Sequence, residues 1–257
     1  MVTLSVVMPV FNEENTVGAV IRRILNDVPY DLELIVVNDG STDRTGDIVD
    51  ALVPQDSRIQ VVHQPNGGKA SALKRGFELS RGEVVIIQDG DLEYDPAEIT
   101  HVVEPILRGL ADVTYGSRFM VRRAARVVYF YHYLANRFLT FLSNMLTNLN
   151  MTDVETGYKA MRGEIIRNMV IESRGFGIEI EITAKVAKLD AIVYEVPISY
   201  YGRTYKEGKK IGFWDGVFAL WYILRFNLFC SLNGSFRTIP KPHAVVHNIS
   251  KRSANSL

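Results

Sequence analysis

VVIIQDGDLEYD, residues 84–95, runs from four apolar residues straight into a cluster of acids. Val84, Val85, Ile86 and Ile87 predict a strand buried on both faces. The chain leaves that strand into Asp89-Gly90-Asp91, with Glu93 two residues further on. In an open α/β sheet, ligands bind beyond the carboxyl ends of parallel strands. Carboxylates at that place suit a hard divalent ion, Mg²⁺ or Mn²⁺, held between one or two acids and substrate phosphates. Gly90 removes side-chain bulk between the acids, so a ligand could approach the backbone closely. Asp-x-Asp on its own is more often a solvated acidic turn, and its neighbours have to decide.

The segments around it repeat the same pattern. Residues 4–11 (LSVVMPVF) predict a first buried strand, and Asn12-Glu13-Glu14-Asn15 supplies caps and first-turn acids for a helix running to about Val28. Residues 32–37 predict a second strand ending in Asn38-Asp39-Gly40-Ser41-Thr42-Asp43. Ser41 or Thr42 would cap a helix over about 43–52, whose first turn Asp43 suits. Residues 59–63 form a third short strand, and Asn66-Gly67-Gly68-Lys69 turns the chain into a helix over 70–80. Strands and helices alternating at about 25–30 residues predict a mostly parallel sheet with right-handed crossovers. The loops at 11–13, 38–43 and 89–93 then gather on one edge. No Gly-x-Gly-x-x-Gly follows the first strand and no Gly-x-x-x-x-Gly-Lys-Ser/Thr occurs, which argues against dinucleotide dehydrogenases and P-loop NTPases.

With 257 residues, 47% of them hydrophobic and 23% charged, the chain has the composition of a soluble globular protein. Cys230 is the single cysteine, which excludes an internal disulfide framework and fits a reducing compartment. The five histidines are scattered without zinc-ligand spacing. The N-terminus enters a strand-like run without a basic leader, so no signal peptide is expected. Net charge is zero but unevenly placed: residues 1–112 carry 9 Lys/Arg against 19 Asp/Glu, and residues 113–257 carry 20 against 10. That split points to an acidic, metal-using half and a basic half that meets an anion, either nucleic acid or anionic lipid.

Val-Met-Pro-Val-Phe-Asn-Glu (7–13), Val-Val-Asn-Asp-Gly-Ser-Thr-Asp (36–43), Asn-Gly-Gly-Lys (66–69) and Asp-Gly-Asp (89–91) occur in order at fitting intervals. Together they resemble glycosyltransferase family 2, over roughly residues 3–120. The resemblance implies a GT-A-type, Rossmann-like α/β fold, a mostly parallel sheet flanked by helices, that binds a nucleotide-sugar. Many relatives have two acids at 38–39; here Asn38 precedes Asp39, leaving Asp39 as the expected contact to base or ribose.

Residues 111–115 predict a strand leading into Gly116-Ser117-Arg118. Residues 113–152 contain no acid but carry Arg118, Arg122, Arg123, Arg126 and Arg137. Within them, 127–148 is apolar and aromatic with interspersed polar residues, an amphipathic helix rather than a membrane span. Asp153-Val-Glu-Thr-Gly-Tyr-Lys-Ala-Met-Arg162 follows, then Gly175-Phe-Gly-Ile-Glu-Ile-Glu181, and a strand over 192–196. The loop at 200–210 is basic with two glycines, suited to a lid over phosphates. A second aromatic helix is expected over 211–230, its apolar heart bounded by Asp215 and Arg225 and too short to cross a membrane. These features are similar to polyprenyl-phosphate hexosyltransferases, the group of dolichyl-phosphate mannose synthases and their undecaprenyl counterparts. The expected organisation is a nucleotide-sugar half (1–115), an acceptor half of the same domain (116–210), a C-terminal amphipathic interfacial helix (211–230) and a basic, disordered tail (231–257).

The resemblance implies metal-dependent transfer of a hexose, with GDP-mannose favoured over UDP-glucose, to dolichyl or undecaprenyl phosphate at the cytoplasmic face of a membrane, with inversion. Asp89, Asp91 and Glu93 would hold Mg²⁺ or Mn²⁺ and offset charge on the leaving diphosphate. Pro9, Phe11, Glu13, Asp39, Lys69 and Asp89 would form the nucleotide site. A lipid phosphate is already ionised, so it needs positioning rather than a base; Arg118 and Arg203, with Ser117, are the expected acceptor-phosphate contacts. Glu179 or Glu181 could orient sugar hydroxyls, or form a structural salt bridge. Partners expected beyond the nucleoside-diphosphate sugar and the lipid are an anionic membrane surface, with no transmembrane helix, and no nucleic acid; a homo-oligomer is compatible with the sequence. The rival readings are a soluble or cell-wall glycan acceptor and a non-catalytic nucleotide sensor.

Overall fold

The strand at the acidic motif, β4 (Val84–Ile87), lies at the centre of a seven-stranded sheet in the computed structural model. The structure describes residues 2–120, 126, 129–202 and 213–242, with the backbone alone at Phe213. Earlier in the chain come β1 (Leu4–Val10), α1 (Val17–Asp27), β2 (Leu32–Asp39), α2 (Thr45–Leu52), β3 (Ile59–Gln64) and α3 (Lys69–Leu79). After β4 follow α4 (Ile99–Leu107), β5 (Val113–Ser117), α5 (Phe130–Thr147), β6 (Lys159–Arg162), α6 (Gly163–Asn168), α7 (Ile178–Lys188), β7 (Val193–Pro197), α8 (Phe213–Leu228) and α9 (Leu232–Ser235). The strand order is β3-β2-β1-β4-β6-β5-β7. Pairings are parallel except for β6, which is antiparallel to both β4 and β5.

Strand alternation divides the core into two layers. Leu4, Val6, Met8 and Val10 face one layer with α1, α2 and α4, while Val7 faces the other with α3, α6 and α7. Each such aliphatic side chain, fully withdrawn from water, contributes about 1.5–3 kcal/mol. A third, smaller cluster joins α5, α7 and α8 through Leu139, Val154, Ile180, Ala219 and Ile223.

Several local readings are corrected. Asn12 adopts a left-handed conformation (φ 53°), and α1 begins only at Val17. At α2 the Thr45 N–H is met by Asp43 (2.9 Å), not by Ser41 or Thr42. Gly90 is required by packing: a Cβ there would lie 2.7 Å from Val10 Cγ1. The tail expected to be disordered is docked as far as Pro242. Phe236 is buried, Ser235 O accepts the Val170 N–H (3.0 Å), and Arg237 pairs with Glu78 (3.4 Å). Residues 243–257 lie outside the described residues.

Candidate active site

The carboxyl ends of β1, β2 and β4 deliver the three polar loops to one cavity of about 860 Å³. Pro9, Phe11, Glu13 and Asp39 line one part of it, and Lys69, Asp89, Asp91 and Glu93 another. Arg118, Glu155 and Glu179 contribute to the same wall, and α5 and α8 add Tyr131, Phe138 and Leu220. One continuous space therefore passes from the acidic loops to the aromatic helices.

Lys69, the first residue of α3, sits between two acids from distant elements. Its Nζ lies 2.9 Å from Asp89 Oδ1 and 3.0 Å from Glu179 Oε1. Burial opposes the charge, but the two carboxylates outweigh it and hold the ammonium well above the ordinary lysine range. Gly157 allows this grouping, because a Cβ there would stand 2.7 Å from Asp89 Oδ2 and 3.4 Å from Lys69 Nζ.

Asp39 lines the cavity and also braces its rim. Its Oδ1 accepts from Gln64 Nε2 (2.7 Å) and the Gly67 N–H (3.0 Å), and its Oδ2 from the Gly68 N–H (2.7 Å). Asn38, where an acid was expected from relatives, holds the β2–α2 turn: its Oδ1 accepts the Ser41 N–H (3.1 Å) and its Nδ2 meets His63 Nδ1 (2.9 Å). Glu13 Oε2 accepts from Thr16 Oγ1 (3.1 Å), which also donates to Gly90 O (2.9 Å), tying the first loop to the acidic one.

The expected three-acid metal set is not assembled. Asp89 faces Lys69, Asp91 Oδ1 accepts the Glu93 N–H (3.0 Å), and Glu93 Oε2 accepts from Tyr200 OH (2.9 Å). Among the described residues no group of three or more His, Cys, Asp or Glu is placed to hold a metal ion. Two neighbouring carboxylates on a cavity wall remain, a donor set that fits a divalent ion completing its shell with ligand phosphates and water.

Arg118 leaves the end of β5 beside the cavity, 12% exposed in its side chain, and pairs with fully buried Asp153. Nε and Nη2 each lie 2.7 Å from an Asp153 oxygen, and the Arg118 N–H adds a third bond (3.1 Å). The guanidinium stacks near the Tyr200 ring, 5.2 Å from its centroid. Burial works against this cation, yet Asp153 holds it well above the usual arginine range. Ser117 behaves differently from the expectation: it is fully buried, its Oγ bonded to Thr152 Oγ1 (2.6 Å), and it is not part of the cavity wall. Arg203, Arg122 and Arg123 lie outside the described residues. Glu181 takes the structural role, fully buried and bonded to Lys185 (2.6 Å) and to the Glu172 and Ser173 N–H groups.

Glu155 has no counterpart among the sequence candidates. Its Oε1 is sealed from solvent, and burial followed by the charge of Glu179 pushes its carboxyl up to about 7. The nearby Lys159 ammonium is drawn down by burial while donating to the carbonyls of Val154 and Thr156. Because the folded protein holds the Glu155 proton more tightly than the unfolded chain, its contribution to stability declines as pH rises from 4.5 toward about 7. Glu155→Gln removes that dependence. The variant's melting temperature relative to wild type should therefore be higher at about pH 8 than at about pH 4.5, equivalent to at most about 2–3 kcal/mol. A pH-independent difference in thermal melts would contradict the assignment.

Comparison with known proteins adds to this geometry. Residues 5–170 match the family model described as Glycosyl transferase family 2. The chain is 28% identical over 218 residues to an undecaprenyl-phosphate mannosyltransferase from Micrococcus luteus, the match spanning 80% of this chain and 86% of that protein. It is 27% identical to a polyprenol monophosphomannose synthase from Mycolicibacterium smegmatis, over 80% of each. A dodecaprenyl-phosphate galacturonate synthase from Rhizobium johnstonii is 30% identical, over 65% of this chain and 49% of that one. In fold, the chain superposes on the glucosyl-3-phosphoglycerate synthase of Mycobacterium tuberculosis in complex with UDP, with a TM-score of 0.68 at 24% identity, over 87% of this chain and 79% of that one.

Proposed function

This chain belongs to glycosyl transferase family 2, and we propose that it transfers a hexose from a nucleoside-diphosphate donor to a polyprenyl phosphate. The observation that carries this is one continuous cavity lined by the acidic loops, by the buried Arg118 and by the aromatic helices α5 and α8. A water-soluble nucleotide and a lipid need such a space, polar at one end and apolar at the other. The names of the Micrococcus and Mycolicibacterium relatives, which act on polyprenyl phosphates, support the acceptor class.

In this reading Pro9, Phe11, Glu13 and Asp39 hold the nucleoside, and Lys69 reaches the diphosphate. Asp91, with Asp89, would hold Mg²⁺ or Mn²⁺, which would supply charge neutralisation to the diphosphate. The diphosphate leaves as the bond from its oxygen to the anomeric carbon breaks. The acceptor phosphate oxygen forms the new bond, already ionised and needing no base. Arg118 positions it with the guanidinium edge that Asp153 does not occupy. Mannose is favoured over glucose as the transferred sugar, following the names of the same two relatives, and GDP-mannose is favoured over UDP-glucose as its donor, following the family resemblance. Purified protein with Mg²⁺ or Mn²⁺ should move radiolabel from one of these donors into an organic phase only when undecaprenyl or dolichyl phosphate is present, and chelation should stop it. Release of sugar without organic-phase product would favour a soluble acceptor instead.

The enzyme would meet its lipid at the membrane surface. No helix among the described residues is long and apolar enough to cross a membrane. α5 and α8 pack together, yet expose Tyr131 (80%), Phe138 (51%), Trp214 (69%) and Trp221 (56%). An exposed aromatic surface of this kind fits insertion at the headgroup boundary. Replacing Trp214, Phe218 and Trp221 together by Ser should weaken binding to anionic vesicles about ten-fold or more. Wild-type binding should fall with salt; unchanged vesicle sedimentation of the triple variant would remove these helices from the interface.

A further inference from the structure

Two carboxylate oxygens beside the cavity have no hydrogen-bond donor among the described residues: Glu155 Oε1 and Glu179 Oε2. Glu179 is 6% exposed in its side chain, so its second oxygen is cut off from bulk water as well. A buried acceptor without a donor is costly, and native proteins keep one where a ligand completes it. Resting on the proposed function, we infer that Glu155 and Glu179 form the seat of the transferred hexose, and that they select a neutral sugar over a uronate.

Position supports the sugar over other ligands. Through Glu179 Oε1 the pair is tied to Lys69, which also holds Asp89, the diphosphate end of the cavity. Glu155 lines the same cavity as Arg118 and stands within the fields of Lys159, Arg118 and Asp153, the last two at the acceptor end. The group lying between a donor diphosphate and an acceptor phosphate is the sugar in transit. A hexose presents neighbouring hydroxyls, each an O–H donor, and carboxylate oxygens accept them well. The base, by contrast, is assigned to the wall at Phe11, Glu13 and Asp39. The charge of the pair adds discrimination: a hexuronate would bring a third carboxylate into a space that already raises Glu155 toward neutrality. The galacturonate relative marks the alternative such a pair would exclude.

Calorimetric titration of the full chain with Mg²⁺ near neutral pH tests this, using GDP-mannose, GDP-mannuronate and GDP, then UDP-glucose, UDP-glucuronate and UDP. Wild type should bind the neutral sugar nucleotide of one series more tightly than its uronate by about ten-fold or more. Glu155→Gln should weaken the neutral sugar nucleotide about ten-fold while changing the matching nucleoside diphosphate less than about two-fold; Glu179→Gln, which also takes a carboxylate from Lys69, should weaken the sugar nucleotide about ten-fold more than it weakens the diphosphate. That nucleoside diphosphate also reports whether each variant has folded. In the double variant the gap between hexose and hexuronate should shrink. Equal weakening of diphosphate and sugar nucleotide, or an unchanged hexose preference, would overturn the assignment while leaving the transferase reading intact. Wild type binding neither series would overturn both.

Discussion

Asp91→Ala should abolish transfer, lowering the turnover number by about a thousand-fold or more, if Asp91 holds the divalent ion that would supply several kcal/mol of charge stabilisation to the leaving diphosphate. The fold should persist. Asp91 is 8% exposed, in the turn after β4, and its Oδ1 accepts the Glu93 N–H, a contact worth about 1 kcal/mol. Circular dichroism and a melting temperature within a few degrees of wild type would establish that the loss is chemical. Asp89→Asn should show a different pattern. Its partner Lys69 would keep only Glu179, so nucleotide affinity should suffer together with turnover. Substantial transfer by Asp91→Ala with Mn²⁺ would remove this residue from the metal site.

Arg118→Ala should be the most destabilising single change at the site, by about 3–5 kcal/mol, because it strands a fully buried charge. Asp153 is 0% exposed and would lose both guanidinium bonds, keeping, among the described residues, the one backbone N–H of residue 118. Adding Asp153→Asn should recover most of that stability, since the remaining group is then neutral. If Arg118 positions the acceptor phosphate, the double variant will be stable yet transfer poorly to lipid phosphate, with the KM for the lipid raised and donor binding unchanged. Restoration of transfer along with stability would make the pair purely structural. Chemical denaturation and a lipid titration separate these outcomes.

Much of the framework was legible in the chain because local chemistry spelled it out. β1, β2 and β4 are mostly apolar runs, interrupted by Ser5 and Glu33, and each leads into a polar loop at the same edge, so the site's first wall followed from strand order alone. β6 had no such signal. Lys159 and Arg162 make it look like a surface segment, yet Lys159 is fully buried on the carbonyls of Val154 and Thr156, and Arg162 bonds to Asp112 (3.0 Å). A strand whose cations are buried on carbonyls of the preceding turn and on the distant Asp112 carboxylate cannot announce itself by periodicity. The docked residues after Ser231 were hidden for the same reason: they are polar, and one aromatic, Phe236, anchors them against Met169.

The sequence by itself determined the α/β class, the family, the acidic loops at the carboxyl edge and the aromatic character of the helices at 130–147 and 213–228, because hydrophobic period and short motifs are local properties. Tertiary structure alone decided which acid does what. Asp89, Glu179 and Lys69 come from the loop after β4, from α7 and from α3, and Glu155 from the turn before β6; only their convergence makes Lys69 the partner of two carboxylates and Glu155 a carboxyl raised to about 7. Charge and solvation depend on neighbours in space, and those neighbours are set by packing rather than by sequence distance.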